Sequence, residues 1–165
     1  MRERGTDFLI FLIEHHRFAI PVKDVEKVIR AVTITQVPES GDLLHGVFNY
    51  HGILLPVINL RRKFSFDPKE ISPEQRLLIV NTHLRQIAIL VDEVEEVTSV
   101  SEKELFQAKA AENSSNDDEA GSTLLFSDKN GIIILYELER LLSGELDKEI
   151  NRLRELLSKK ESTGE

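Results

Sequence analysis

The stretch that decides the fold is residues 46–60, which read GVFNYHGILLPVINL. Two short apolar runs, rich in Val, Ile and Phe, flank the residues Asn49-Tyr50-His51-Gly52. Runs of this length favour strands, because helices usually need ten or more residues. Gly52 can adopt the positive φ that a tight turn between antiparallel strands requires. The stretch therefore predicts a β-hairpin that leads directly into a short helix.

The same pattern recurs further along the chain. Residues 124–135 contain the dipeptide Asn130-Gly131, which is a strong hairpin signal, and a short helix is predicted after them. A third hairpin is predicted to pair residues 76–81 with residues 86–91. Because a hairpin followed by a helix occurs twice, the sequence indicates an internal duplication.

Two segments carry helix signals. At the C-terminus, apolar residues recur at spacings of four, three and four: Leu146, Ile150, Leu153 and Leu157. This stripe predicts an amphipathic helix over residues 145–159, lying across a β-barrel or pairing with a partner helix. Residues 21–32 could also be helical, but their β-branched content favours a turn that leads into a strand.

Composition excludes several classes of protein. The 165 residues carry a net charge of −8, with 41% hydrophobic residues, no Cys and no Trp. This balance disfavours binding to nucleic acid through phosphates, and the lack of Cys excludes disulfides. No apolar run approaches the roughly 20 residues that span a bilayer, and no signal peptide begins the chain, so we expect a cytoplasmic protein without membrane insertion.

The acidity is local. Residues 92–119 carry ten acidic and two basic side chains, and the remainder of the chain is neutral. Within this segment, residues 112–119 contain no apolar side chain and predict a flexible surface loop. Such a surface either repels partners or binds a basic one.

The residue pattern offers little for catalysis. The Gly-rich phosphate-binding motifs and the nucleophile-elbow motif are missing from the sequence, and its five His residues have no metal-ligand spacing. Asp92 and Glu93 follow a predicted strand, so a small hydrolase using this acid pair is one hypothesis, although a solvated turn is the commoner meaning of such a pair. The basic run Arg61-Arg62-Lys63 is interpreted as a solvated helix face. We expect no cofactor.

Three blocks of sequence resemble the family of CheW-like chemotaxis adaptors. Residues 46–60 resemble its signature of Gly, an apolar pair, Asn, an apolar residue, Arg, Gly, an apolar run, Pro, an apolar pair, Asp and Leu. Residues 89–94 are similar to its second strand motif, and residues 137–142 to its closing helix. The resemblance implies a mainly β fold, in which two five-stranded SH3-like barrels pack side by side, with short helices and the C-terminal amphipathic helix.

The resemblance also implies domains, a role and partners. We assign residues 1–144 to the CheW-like domain, made of two barrel subdomains, and residues 145–165 to a C-terminal helix and tail. Family members are non-catalytic couplers in signal transduction, which bind the regulatory domain of the chemotaxis histidine kinase and the cytoplasmic tip of chemoreceptors. We expect the isolated chain to be monomeric. The alternative is a divergent scaffold of the same fold that serves another kinase pathway, such as non-flagellar motility or gene regulation.

Family positions transferred to this sequence give nine candidate partner-binding residues: Val25, Lys27, Val28, Gly46, Val47, Asn49, His51, Gly52 and Ile87. For the apolar members barrel core is the alternative role, and for the glycines turn geometry. The sequence departs from the family at three positions, where Lys27 replaces Glu, His51 replaces Arg and Asn59 replaces Asp. A Lys–His pair cannot form the family's Glu–Arg ion pair, so either a solvated pair has drifted or partner specificity has changed.

Overall fold

A computed structural model of the chain describes the residue ranges 5–31, 34–37, 43–83, 85–108, 123–135, 146–152 and 154–155. Its strands, in chain order, are β1 (Thr6–Ile13), β2 (His16–Pro21), β3 (Val25–Arg30), β4 (Thr35–Gln36), β5 (Leu44–Tyr50), β6 (Ile53–Asn59), β7 (Arg76–Asn81), β8 (Gln86–Val91), β9 (Glu93–Val100), β10 (Phe106–Ala108), β11 (Thr123–Asp128) and β12 (Gly131–Leu135). Helix α1 (Leu60–Lys63) follows β6, and residues 146–152 and 154–155 form the C-terminal helix. Short 3₁₀ turns occupy Val22–Asp24 and Glu102–Glu104.

The strands form two six-stranded sheets. Sheet A has the order β10-β11-β12-β2-β1-β9, and sheet B has the order β3-β7-β8-β6-β5-β4. The predicted mainly β fold in two packed units is confirmed. Each sheet holds six strands where the resemblance implies five, because the short edge strands β4, of two residues, and β10, of three, each add one.

Each sheet curls around its own apolar interior. In sheet A, Val100 of the edge strand β9 and Phe126 of β11 belong to one buried cluster, although three strands separate them in the sheet. In sheet B, Ile29 of the edge strand β3 and Phe48 of β5 pack against one buried cluster that contains Leu55 of β6. Strands that lie far apart in sheet order meet only if the sheet bends round, which is the barrel geometry that the sequence predicts.

A third and larger apolar core lies between the two sheets. Strand β1 contributes to two of the cores. Its residues Phe8 and Ile10 face the interior of sheet A, while Leu9 and Phe11 face sheet B. Successive side chains of a strand point to opposite faces, so a strand that is apolar throughout is covered on both faces. The near-continuous apolar runs of the sequence are explained by these three cores.

The C-terminal helix completes the core between the sheets. Leu146 and Ile150, the first two residues of the predicted stripe, are buried in it. Polar contacts add to this packing, since Arg85 pairs with Asp147 at 2.7 Å and the Leu43 amide donates to a carboxylate oxygen of Glu149 at 3.2 Å. The described residues therefore confirm that the helix lies across the barrels. The division at residue 144 into a domain and a tail stays a prediction.

The two sheets repeat one topology. The strands β9, β10, β11, β12, β1 and β2 of sheet A correspond, in that order, to β3, β4, β5, β6, β7 and β8 of sheet B. Corresponding strands make the same pairs in both sheets. Each sheet has one parallel pair, β12 with β2 in sheet A and β6 with β8 in sheet B. The other pairs are antiparallel in both sheets. This supports the internal duplication inferred from the sequence. The N-terminal hairpin β1–β2 completes the sheet that the last strands build.

Several local predictions are confirmed. The three predicted hairpins are β5–β6, β11–β12 and β7–β8. Gly52 and Gly131 have φ values of 86° and 128°, as their turns require. The segment that begins at Pro21 is a 3₁₀ turn followed by β3, not a helix. The predicted loop at 112–119 and closing helix at 137–142 lie outside the described residues.

Candidate functional site

The tip of the β5–β6 hairpin carries three of the candidate residues. His51 and Gly52 form a two-residue turn with φ values of 52° and 86°, and the Gly52 amide donates to the side-chain oxygen of Asn49 at 2.9 Å. All three residues are exposed. The side chain of Asn49 thus fixes the turn, which holds the imidazole of His51 at the end of a rigid hairpin.

Gly46 and Val47 lie on β5 beside the short strand β4. Gly46 is buried, and a Cβ atom built there would overlap the carbonyl oxygen of Thr35. The residue at position 46 must therefore be glycine for β4 to pair with β5. Val47 lies opposite Thr35 and is half-buried.

The remaining apolar candidates differ in how much surface they present. Val28 of β3 is 37% exposed, whereas Val25 packs against the core between the sheets. Ile87 is fully buried in that core and offers no surface to a partner in this structure, because β8 is covered on both faces. Lys27 is exposed.

A bulge in β3 decides which side chain reaches the hairpin tip. Val25 pairs with Val80 and Lys27 with Ile79, so Glu26 is an extra residue in the ladder. The carboxylate of Glu26 accepts a hydrogen bond from Nε2 of Gln86 at 2.7 Å and interacts with the hydroxyl of Tyr50. Gap-free alignment to the family puts the acidic position on Lys27, but here the acidic side chain next to the hairpin is Glu26.

Tyr50 connects this acid to His51. Burial, together with the neighbouring carboxylate of Glu26, raises the pKa of the Tyr50 hydroxyl. The rings of Tyr50 and His51 lie with their centroids 4.4 Å apart. Sequence reasoning missed the roles of Glu26, Tyr50 and Gln86. Tyr50 fills only an apolar position of the signature, no motif marks Glu26 or Gln86, and the bulge and the β7–β8 hairpin bring the three together.

A buried ion-pair network lies where α1 meets the β1–β2 turn. Arg61 is 3% exposed, and its guanidinium pairs with Glu14, donates to Asp92 at 2.5 Å and donates to the carbonyl oxygen of Asp67 at 2.9 Å. The sequence-based interpretation of Arg61 as part of a solvated helix face is therefore wrong. The carboxylates that surround it come from distant parts of the chain, which a local charge pattern does not reveal.

This network bears on the hydrolase hypothesis. Burial alone would raise the pKa of Asp92, but donors from the Glu14 amide, Arg61 and Gln75 outweigh burial and hold the pKa below its usual value. Glu93, its proposed partner, is exposed. A carboxylate held as an anion by three donors is suited to an ion pair and not to giving or taking a proton near neutral pH. The geometry therefore gives the hydrolase hypothesis no support.

The described residues offer neither a metal site nor a membrane-spanning helix. Within the described residues, no cluster of three or more His, Asp or Glu side chains could hold a metal ion. Among the helices of the described part of the chain, none is long and apolar enough to cross a membrane.

Comparison with known proteins assigns the family. The family model of the CheW-like domain matches residues 7–146, which is most of the chain. This chain belongs to the CheW-like family. The chain is 26% identical over 141 residues to the chemotaxis protein CheW of Bacillus subtilis, covering 86% of this chain and 89% of that protein. It is 27% identical over 148 residues to the CheW of Klebsiella aerogenes, covering 86% and 84%.

A solved CheW structure shows the same fold. The scaffolding protein TtCheW from Thermoanaerobacter tengcongensis superposes with a TM-score of 0.67 at 22% identity. The match covers 81% of this chain and 89% of TtCheW. The two-sheet architecture described above is therefore the fold of a CheW protein.

One departure of this CheW-like chain from the family signature has a structural explanation. Asn59 is the N-cap of α1, and its side-chain oxygen accepts from the Arg61 amide at 3.0 Å. Asn and Asp cap helices about equally well, so Asn59 does what the family's Asp would do in this position.

Proposed function

We propose that this CheW-like chain is a chemotaxis coupling adaptor, which links the cytoplasmic tips of chemoreceptors to the regulatory domain of a histidine kinase and catalyses no reaction itself. The observation that carries the proposal is the match of the CheW-like domain over residues 7–146. Relatives that align with most of the chain are named chemotaxis protein CheW. The conclusion that the chain is a scaffold agrees with the ion-paired state of Asp92.

The structure supports the β5–β6 hairpin tip and strand β3 as the docking surface. Asn49, His51 and Gly52 are exposed on a turn with a defined conformation, and Val28 adds exposed apolar area. An adaptor gains from such preorganised surface, because a rigid loop loses little conformational entropy when a partner binds. Gly46 and Ile87 would support this surface from below, since both are buried.

The test is co-sedimentation of the purified chain with receptor-bearing membranes and with the kinase from the same cell. We expect saturable binding to both partners, and several-fold weaker binding for His51→Ala. Lys129→Ala is the matched control, because Lys129 is exposed at the tip of the equivalent hairpin β11–β12 in sheet A. If the wild-type chain binds neither partner, the adaptor proposal fails.

An adaptor for a different kinase pathway is a second candidate. His51 favours it because this residue departs from the family pattern, and Lys27 departs from the pattern in the gap-free alignment. The double substitution Lys27→Glu with His51→Arg restores the family residues. If these positions set specificity, the double variant should bind a different subset of the cell's receptors. An unchanged binding profile would contradict that role.

A further inference from the structure

The internal repeat allows the two sheets to be compared residue by residue. Two pairs of facing residues fix the correspondence, since Ile10 lies opposite Ala19 in sheet A and Ile79 lies opposite Ala88 in sheet B. Each of these four residues is buried inside its own sheet. The edge strands agree as well, because both β9 and β3 carry their register shift at the same place in the repeat.

In sheet A, Arg17 links the end of the β11–β12 hairpin to the bulge in β9. Arg17, at the start of β2, is 9% exposed and binds both oxygens of Asp128, at 2.7 and 2.8 Å. It also donates to Glu95 in the bulge of β9, at 2.9 and 3.2 Å. We call Arg17, Glu95 and Asp128 the A corner. All four contacts of the guanidinium are charge-assisted and are made within the chain.

In sheet B, the equivalent positions hold a glutamate that matches Glu95, but a glutamine in place of Arg17. The repeat places Glu26 at the position of Glu95, Gln86 at that of Arg17 and Tyr50 at that of Asp128, and we call these three residues the B corner. Gln86 still donates to Glu26 at 2.7 Å. Among the described residues, no Lys or Arg nitrogen lies within 4.0 Å of the Glu26 carboxylate.

The B corner is also open to solvent and bordered by apolar side chains. Glu26 is exposed, as is Glu95 in the A corner, but Glu95 is ion-paired with Arg17. Ile53, which lies opposite Tyr50 in the hairpin, is 59% exposed, and Val28 is 37% exposed. The corner thus combines a carboxylate without a Lys or Arg partner among the described residues, a half-buried aromatic ring and apolar surface, all carried by paired strands.

We propose that the B corner binds an arginine side chain of a protein partner, whose guanidinium contacts Glu26 as that of Arg17 contacts Glu95. This inference rests on the proposed function for the existence of a partner, but not for the chemistry of the site. Arginine fits better than lysine, because its planar fork can bind the carboxylate through two nitrogens and stack on the ring of Tyr50. Its aliphatic stem would cover Ile53 and Val28.

A titration with a small probe tests the chemistry of the corner in the full chain. Nα-acetyl-arginine amide should shift the amide NMR signals of Glu26, Tyr50 and Gln86 in a saturable way, whereas the uncharged citrulline analogue should not. Glu26→Gln should abolish these shifts. Glu96→Gln is the matched control and should keep them, because Glu96 is an exposed acid at the corresponding bulge of β9. Equal shifts with citrulline, or shifts that survive in Glu26→Gln, would overturn the proposal.

A second variant fills the site from within the chain. Gln86→Arg puts a guanidinium at the position that Arg17 occupies in the repeat, so it should weaken binding of the arginine probe at least ten-fold. Wild-type affinity in this variant would refute the equivalence of the corners.

A co-sedimentation assay tests whether the B corner takes part in binding the proposed partners. In the co-sedimentation assay, Glu26→Gln and Gln86→Arg should both weaken binding to receptor or kinase several-fold, while Glu96→Gln should not. If both variants bind the two partners as the wild type does, the corner is not a partner site and this inference is wrong. If the wild type itself binds neither partner, the adaptor proposal fails, and the probe titration alone decides whether the corner takes a guanidinium.

Discussion

Replacement of Arg61 by methionine tests the buried network between the two sheets. The methionine keeps most of the apolar volume of the arginine stem but removes the cation that faces Glu14 and Asp92. Two carboxylates, one of them only 18% exposed, then remain without their charged partner. The substitution therefore measures what it costs to leave these acids unpaired.

The expected magnitude follows from the contacts that remain. Breaking a buried ion pair by removing one partner costs about 3–5 kcal/mol. Asp92 would keep its hydrogen bonds from Gln75 at 3.1 Å and from the Glu14 amide at 2.9 Å, which places the cost near the lower end. For a chain of this length each kcal/mol shifts Tm by about 2–4 °C, so Arg61→Met should lower Tm by about 6–12 °C.

Urea unfolding followed by circular dichroism is the assay. Arg62→Met is the control, because Arg62 is the exposed neighbour on the same helix and its loss should change stability by less than about 0.5 kcal/mol. The double variant Arg61→Met with Asp92→Asn should recover part of the loss, since it removes one of the two stranded charges. A loss below about 1 kcal/mol for Arg61→Met, or no difference from Arg62→Met, would refute the reasoning, because the network would then be shielded by water.

Three further predictions concern the sheets and the C-terminal helix. Hydrogen bonds from Arg17 hold the pKa of Asp128 at about 2. The protein should therefore lose stability as the pH falls from about 5 toward 2, because protonation of Asp128 breaks this ion pair. In Asp128→Asn the urea midpoint should depend less on pH over this range. Gly46→Ala should cost about 1–3 kcal/mol, because its Cβ overlaps the carbonyl of Thr35, and an unchanged midpoint would show that β4 moves away freely. Leu146→Ala should cost about 2–5 kcal/mol, and a stability equal to wild type would mean that the helix does not belong to the core.

Local chemistry made much of the fold predictable. Gly52 and the pair Asn130-Gly131 sit in the turns that their conformational freedom predicts, and the spacing of Leu146 and Ile150 predicted the buried face of the C-terminal helix. Turn residues and apolar periodicity are properties of neighbouring residues, so they can be read without knowledge of distant contacts.

Contacts between distant segments could not be predicted in this way. The parallel pairing of β12 with β2 joins residues more than 100 positions apart, and no local pattern encodes it. The burial of Arg61 likewise depends on acids contributed by the β1–β2 turn and by the β8–β9 connection. At the candidate site, gap-free counting led to Lys27, whereas a single-residue bulge puts the carboxylate of Glu26 at the hairpin.

Sheet A combines the first two strands of the chain with β9 to β12, and this order affects folding during translation. The strands of sheet B lie in one continuous stretch, residues 25–91, so this sheet can form while the ribosome is still translating the remainder. Sheet A forms later, because β1 and β2 precede sheet B in the chain whereas their partners β9 and β12 follow it. Until then the N-terminal hairpin displays unpaired edges and two apolar faces, which exposes this segment of the nascent chain to aggregation.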